Sequence, residues 1–311
     1  MSVIVPVYNS SPWLAELVGR LGTVLQATGL AHEVVLVDDG SRDESWSVVC
    51  GLAERHAWVR GLRMMRNYGQ HNALLAGLRA ARFDVTVTMD DDLQHPPEEL
   101  PKLLAGLNEG CDLVYGPPQR KQHGLMRNLA SVVTKFALRN AIGAGHAPDV
   151  CAFRALRTRL REAFVSYHGP YVNLDVLLTW GTTRIGAVRV AHEPRAFGRS
   201  NYTFRRLLRH AVDMITGFSV LPLQWSSLIG FAFTLFGIGV LAYVLGRYLV
   251  TGSSVAGFPF LASIIAIFSG AQLFALGMIG EYLARMHFRL MEKPTYAIRD
   301  QTGGLSRDDP S

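Results

Sequence analysis

The chain has 311 residues, 49% hydrophobic and 18% charged, with a net charge of +6 and a mean hydropathy of +0.17. That is too apolar for an ordinary soluble enzyme, and too long and mixed for a disulfide scaffold, a collagen-like repeat or a disordered chain. Three cysteines, Cys50, Cys111 and Cys151, are odd in number and lack metal-type spacing, which fits reduced thiols in a cytosolic domain.

Over the first 116 residues short apolar runs alternate with amphipathic ones. Strands are predicted at Val3 to Val7, Val34 to Val37, Val59 to Met64, Val85 to Met89 and Leu113 to Tyr115, with helices near Pro12 to Ala27, Glu44 to Arg55, Gln70 to Arg82 and Pro97 to Asn108. This alternation predicts an α/β fold, a mostly parallel sheet with helices on both faces. Such sheets bind ligands beyond the carboxyl ends of their strands, so the strand exits are the places to inspect. With the first strand beginning almost at Met1, no signal peptide is expected, and the soluble domain stays on the side where it is made.

Past Gly116 a Pro-, Gly- and basic-rich stretch leads to a predicted helix from about Met126 to Ile142, a short buried helix at Leu174 to Trp180 and a strand at Ile185 to Val190. From Phe204 to Ile215 apolar residues follow helical spacing, with Arg205, Arg206 and Arg209 opposite. An amphipathic helix lying on a bilayer and a helix packed on the soluble core both fit that pattern.

No charged side chain occurs from Met214 to Gly246, nor from Tyr248 to Gly280. Ser226 to Gly246 is about 32 Å of helix, enough to cross roughly 30 Å of hydrocarbon, and Phe258 to Gly280 crosses back. The expected organisation is a soluble domain over 1–200, a juxtamembrane helix over 201–225, a transmembrane hairpin over 226–284 (spans 226–247 and 258–281) and a tail over 285–311. Arginines before the first span, and Arg285, Arg289, Lys293 and Arg299 after the second, place both termini in the cytoplasm by the positive-inside bias. Because a basic stretch abuts a span, anionic lipid is favoured as its partner over nucleic acid.

Polar clusters end three strands: Tyr8-Asn9, Asp38-Asp39-Gly40-Ser41, and Asp90-Asp91-Asp92-Leu93-Gln94. Three adjacent aspartates repel one another unless a cation or a hydrogen-bond network offsets the charge. Carboxylates with a neighbouring amide oxygen suit Mg²⁺ or Mn²⁺; an acidic turn capping the helix at Pro97 is the simpler alternative.

The motifs Val5-Pro6-Val7-Tyr8-Asn9, Val37-Asp38-Asp39-Gly40-Ser41, Arg66-Asn67-Tyr68-Gly69-Gln70, Asp90 to Pro97, Phe153-Arg154, Arg195 to Tyr202 and Gly280-Glu281-Tyr282 occur in order over nearly the whole chain. Together they resemble family 2 glycosyltransferases of the GT-A fold, and within them the polyprenyl-phosphate glycosyltransferases. The resemblance implies inverting transfer of one sugar from a nucleotide sugar, UDP-linked in preference to GDP-linked, to undecaprenyl phosphate at the bacterial inner membrane, by a homo-oligomer. It implies that Pro6, Tyr8, Val37 and Asp39 line the nucleotide pocket together with Asp90, Asp91 and Arg66, and that Asp90, Asp92 and Gln94 hold the metal. Arg66 equally suits packing at a helix start. Arg127, Arg195, Ser200, Arg205, Arg206 and Arg209 are the expected acceptor-phosphate contacts, and Asp149 and Asp175 the secondary candidates for a base beside Asp90 and Asp92. The chain departs from the pattern at Ser10, Asn201, Pro117-Pro118 and Ala152, positions where relatives often carry Glu, Lys, Ser-Arg and Asp. A processive polysaccharide synthase, a transferase acting on another lipid and an inactive membrane-anchored scaffold are the competing readings.

Overall fold

The computed structural model describes residues 1–119, 149–169, 172–193, 221–252, 257–291 and 294–303. The predicted helix over 126–142, the amphipathic helix from Phe204, and Arg127, Arg195, Ser200, Arg205, Arg206 and Arg209 lie outside them.

The described residues form two units. The first is built on an eight-stranded sheet in the order β7-β5-β6-β4-β1-β2-β3-β8. At its centre β1 (Ser2–Val7) pairs in parallel with β2 (Glu33–Asp38) on one side and β4 (Val85–Thr88) on the other, and β2 pairs in parallel with β3 (Val59–Met64). β5 (Leu113–Tyr115) and β7 (Ile185–Ala187) are parallel to each other. The central strands are buried on both faces and rich in Val, Ile and Leu, as covered parallel strands are.

The side-chain alternation of the strands divides the core in two. Val3, Val5, Val34 and Leu36 pack beneath α1 (Leu14–Ala27) and α2 (Ser45–Arg55), and Val87 and Val114 share that layer with α4 (Leu100–Asn108). Ile4, Val35, Val37 and Leu62 face α3 (Gln70–Ala80), and α5 (Leu174–Gly181) shares that layer. In α1 the buried residues Leu14, Leu17, Val18, Leu21 and Leu25 follow the three- and four-residue spacing of one helix face. α3 approaches the sheet closely at Gly77, where an added Cβ would lie 2.3 Å from Ile4 Cγ2 and 3.1 Å from Val37 Cγ2.

Two strands make the sheet less parallel than the β/α alternation predicts. β6 (Arg154–Arg157) lies antiparallel between β4 and β5. Its sequence, Arg-Ala-Leu-Arg, hides a buried strand because Arg154 is itself fully buried and paired with Asp175. At the far edge β8 (Ile298–Thr302) pairs antiparallel with β3. The segment expected to be a tail therefore returns to complete the sheet, and the soluble unit does not end at residue 200.

The second unit holds two long helices, α6 (Leu221–Thr251) and α7 (Phe258–Leu290). Each contains a stretch long and apolar enough to cross a membrane, Leu223–Val250 and Ile267–Ala284, with its apolar side chains exposed. The helices touch each other, with Phe233 edge-on to Phe268 at 5.8 Å between ring centroids.

Replacing Gly77 by Val forces two methyl groups into the interface between α3 and β1. We expect a loss of roughly 1–3 kcal/mol, read as a fall of about 3–10 °C in the melting temperature of the detergent-solubilised chain. An unchanged melting temperature would mean that α3 does not seat on the sheet at this glycine.

Candidate active site

Parallel pairing of β1 with β2 and β4 brings three strand exits side by side, and a cleft of about 260 Å³ opens there. Pro6 and Tyr8 line it from the end of β1, Asp39 from the end of β2, and Asp90, Asp91 and Asp92 from the loop after β4. Asn67, Gly69 and Gln70 form the remaining wall, where the chain enters α3.

Each carboxylate is held differently. Asp39 is buried and accepts both the Tyr68 amide (2.7 Å) and the Gly69 amide (2.8 Å). Burial pushes its carboxyl up to about 6, against the two amide hydrogen bonds that favour the ionised form. Asp91 turns toward β1: the Ser10 hydroxyl and the Tyr8 amide both donate to its Oδ2. Burial raises Asp91 to about 6 as well, with the Ser10 and Tyr8 hydrogen bonds opposing. Asp90 accepts from the Gln70 side-chain amide at 2.5 Å. Asp92 accepts the Gln94 backbone amide at 3.2 Å, while the Gln94 carbonyl takes the Glu193 amide at 2.9 Å.

The backbone is under tension at the same places. Asn9 and Leu93 are non-glycine residues with positive φ, 55° and 57°. Leu93 tolerates this because its side chain is buried in the core, which leaves Asp92 and Gln94 on a fixed arch on either side of it. Gly40 has φ +69°, and an added Cβ there would lie 2.6 Å from the carbonyl carbon of Arg66. Only glycine lets the β2 exit pass so close to the loop that Asp39 holds. Below the arch His95 stacks on Phe153 at 5.3 Å and meets His192 edge-on at 5.0 Å; burial, then His192, lowers its pKa to about 4, so it packs as a neutral ring.

The structure thus gathers Pro6, Tyr8, Asp39, Asp90, Asp91 and Asp92 of the expected set into one cleft. Val37 is not among its lining residues: it is fully buried on the sheet face that carries α3. Arg66 stacks its guanidinium over Tyr68 at 4.6 Å, at the helix start, and does not line the cleft. Asp175 is unsuited to act as a base, because it is buried, ion-paired with Arg154 and accepts the Tyr115 hydroxyl at 3.1 Å. Asp149 lies outside the cleft and pairs with Arg189 at 3.2 Å. Sequence reasoning missed Gln70 and Ser10 as the holders of Asp90 and Asp91. The signal for Gln70 was its place within Arg66-Asn67-Tyr68-Gly69-Gln70, just after a glycine.

Among the described residues no group of three or more His, Cys, Asp or Glu side chains is arranged to enclose a metal ion. The donor set fits a hard divalent cation nonetheless. Such ions, Mg²⁺ above all, are commonly held by one or two carboxylates and complete their shell with water and substrate phosphate. Asp90 and Asp92 border the cleft and supply two carboxylates, with Gln94 in the same loop.

Residues 2–163 match the family model described as glycosyl transferase family 2. The undecaprenyl-phosphate 4-deoxy-4-formamido-L-arabinose transferase of Shewanella sediminis is 33% identical over 303 residues, covering 96% of this chain and 92% of that one. The enzyme of the same name from Pseudomonas aeruginosa PAO1 is 35% identical over 301 residues, covering 96% and 89%. Among solved structures, glucosyl-3-phosphoglycerate synthase from Mycobacterium tuberculosis, in complex with Mn²⁺, UDP and glucosyl-3-phosphoglycerate, aligns with a TM-score of 0.50 at 18% identity, over 69% of this chain and 77% of that one. A further mycobacterial protein aligns with a TM-score of 0.51 at 20% identity, over 69% and 72%. At such identities these structures bear on the fold alone.

Asp39 gives the site a pH signature. Its folded pKa of about 6 lies above the ordinary value of 3.8, so the native state binds the proton more tightly than the unfolded chain. That contribution to stability is complete below about pH 4 and is lost as pH rises through 6. The stability of wild type minus that of Asp39→Asn should therefore fall by roughly 2–3 kcal/mol from pH 4 to pH 7, measured by thermal melts in EDTA. A difference that is flat or grows over that range would refute the buried, protonation-prone Asp39.

Proposed function

The chain belongs to glycosyl transferase family 2, and from that premise we propose that it transfers a single sugar, with inversion, from a UDP-linked donor to the phosphate of a membrane polyprenol such as undecaprenyl phosphate. The observation that carries this reading is the presence in one chain of a carboxylate cleft and two membrane-length helices. Relatives that align over 96% of this chain and are named for transfer to undecaprenyl phosphate support it.

The chain's own residues divide the work. Pro6, Tyr8 and Asp39 bound the side of the cleft where the nucleoside lies, Asp39 by fixing the Tyr68-Gly69 turn that forms its wall. Asp90 and Asp92, with Gln94 beside them, would hold a divalent cation, Mg²⁺ or Mn²⁺. Bound there, the cation supplies charge neutralisation for the departing nucleoside diphosphate. An acceptor phosphate oxygen forms the new bond to the anomeric carbon as the bond from that carbon to the diphosphate breaks. A phosphate monoester has a second pKa of about 6, so the nucleophile is largely a dianion at neutral pH. That agrees with Asp149 and Asp175 both being committed to ion pairs.

What the acceptor needs is cations that hold a dianion beside a diphosphate. Arg195, Arg205, Arg206 and Arg209, with Ser200, are assigned that role from their place in the sequence before the first span, with Arg127 as a helper from earlier in the chain, since guanidinium forks suit phosphate. Pairing of β3 with β8 joins residues before and after the helix pair in one sheet, which supports a hairpin with both ends on one face of the bilayer. The basic flanks assign that face to the cytoplasm of a bacterial inner membrane.

Purified chain in lipid nanodiscs, supplied with undecaprenyl phosphate and a panel of UDP- and GDP-sugars that includes the 4-deoxy-4-formamido-L-arabinose donor, should release nucleoside diphosphate with one of them. EDTA should abolish turnover, and Asp92→Asn should lower kcat by on the order of 10²-fold or more without lowering the melting temperature. Full turnover in EDTA would refute the metal, and no turnover with any donor would point to a scaffold. Arg206→Ala and Arg209→Ala should raise KM for the lipid by about tenfold or more and leave KM for the donor near its wild-type value. Unchanged lipid dependence would remove these arginines from the acceptor site.

A further inference from the structure

A second concavity, of about 660 Å³, opens at the other end of α3 from the carboxylate cleft. Arg60, Arg79, Arg82 and Arg161 line it, with Tyr296 and Thr302 from the returning C-terminal segment, and among the described residues no Asp or Glu lines it. Its volume lies within the range of small-molecule sites.

The guanidinium groups are fixed mainly by neutral partners. One nitrogen of Arg161 donates to the carbonyls of Leu78, Arg79 and Ala81, at 3.1, 3.3 and 2.8 Å, and so caps the end of α3. Arg79 donates to the carbonyls of Val165 and Tyr167, at 3.3 and 2.8 Å, and lies over the Tyr296 ring at 5.6 Å. Carbonyls orient a guanidinium without cancelling its charge. Among the described residues only Arg60 of the four has an acidic partner, Glu33 at 2.8 Å behind the pocket wall. The C-terminus of α3 contributes about half a negative charge, which does not offset three cations. Arg82 is exposed, and its backbone amide is pinned by Ser2 Oγ and Glu33, so its side chain starts from a fixed point at the rim.

A preorganised, uncompensated cluster of guanidiniums in a concavity, with an aromatic ring beside it, matches the geometry and charge of phosphate oxygens better than any neutral ligand. The geometry points to a second anion site, remote from the carboxylate cleft, for a ligand carrying a phosphate or pyrophosphate group. This site does not depend on the transferase reading. Two sources supply that chemistry: a soluble pyrophosphate compound or an anionic lipid headgroup. The headgroup gains support from Tyr296, which lies only six residues along the chain from the end of α7.

The test uses the full chain in detergent, in EDTA and carrying Asp92→Asn, so that binding at the catalytic cleft is suppressed. Inorganic pyrophosphate and dihexanoyl phosphatidylglycerol are titrated separately, with dihexanoyl phosphatidylcholine as the zwitterionic control, and binding is read from the melting temperature. At least one of the two anions should raise it saturably, and adding Arg82→Glu should weaken that binding by about tenfold or more. Tighter binding of pyrophosphate assigns a soluble ligand, and tighter binding of the phosphatidylglycerol assigns a headgroup. No shift with either anion, an equal shift with phosphatidylcholine, or affinity unchanged by Arg82→Glu in a variant that melts normally without ligand would overturn the site.

Discussion

The parallel pairing of β1 with both β2 and β4 is the constraint on which the rest of the site depends. Parallel neighbours end on the same side, so the polar residues that follow each strand meet in one place whatever their separation in sequence. Here they are carboxylates. Asp39, Asp90, Asp91 and Asp92 meet at one cleft, and burial makes Asp39 and Asp91 costly to ionise. A sheet that concentrates acids in this way has to supply donors, and the loops around the cleft are organised by that demand.

The donors come from backbone more than from cationic side chains. Asp39 takes two consecutive amides from the loop into α3, Asp91 takes an amide and a hydroxyl from the β1 exit, and Asp92 takes an amide from its own arch. Asp38, at the end of β2, faces the Arg63 guanidinium at 3.6 Å. Neutral donors orient carboxylates and leave their negative charge available to a divalent ion. Ion pairing would have used that charge up, as happens to Asp175 in the core, where Arg154 also donates to Thr88 at the end of β4. Asp175, so neutralised, braces the sheet from within the core.

The sequence discloses whatever depends on periodicity and on charge left without a partner nearby. The five strands before residue 116 and the helices between them follow from alternating apolar runs, and the Asp90 to Asp92 cluster is conspicuous because three acids after a buried strand have no local compensation. The elements it hides are those whose burial is secured by a distant partner. Arg154 to Arg157 does not read as a strand until Asp175, 21 residues from Arg154, neutralises its buried charge. Ile298 to Thr302, with Arg299, Asp300 and Gln301 inside it, reads as a polar tail until the open edge of β3 gives its backbone a ladder. Ser10 and Gln70 were hidden for the same reason, since their partners stand 81 and 20 residues away.

The returning strand also changes what the long helices mean for the soluble unit. A terminal hairpin of apolar helices can be an appendage, attached by one end and separable from the enzyme. Here the chain leaves the sheet, forms α6 and α7, and comes back to hydrogen-bond along β3 from Gly61 to Met64. Gly61 sits against Thr302 and Val49, with no room for a Cβ, and Gly303 turns at φ +73° over the Val59 carbonyl, so the contact is a fitted edge. An edge strand left bare presents unpaired amides and carbonyls, and β8 covers those of β3. The price of that cover is that the sheet is complete only when the residues after the second helix have returned to it. Completing the first unit therefore requires residues that lie beyond both long helices in the chain.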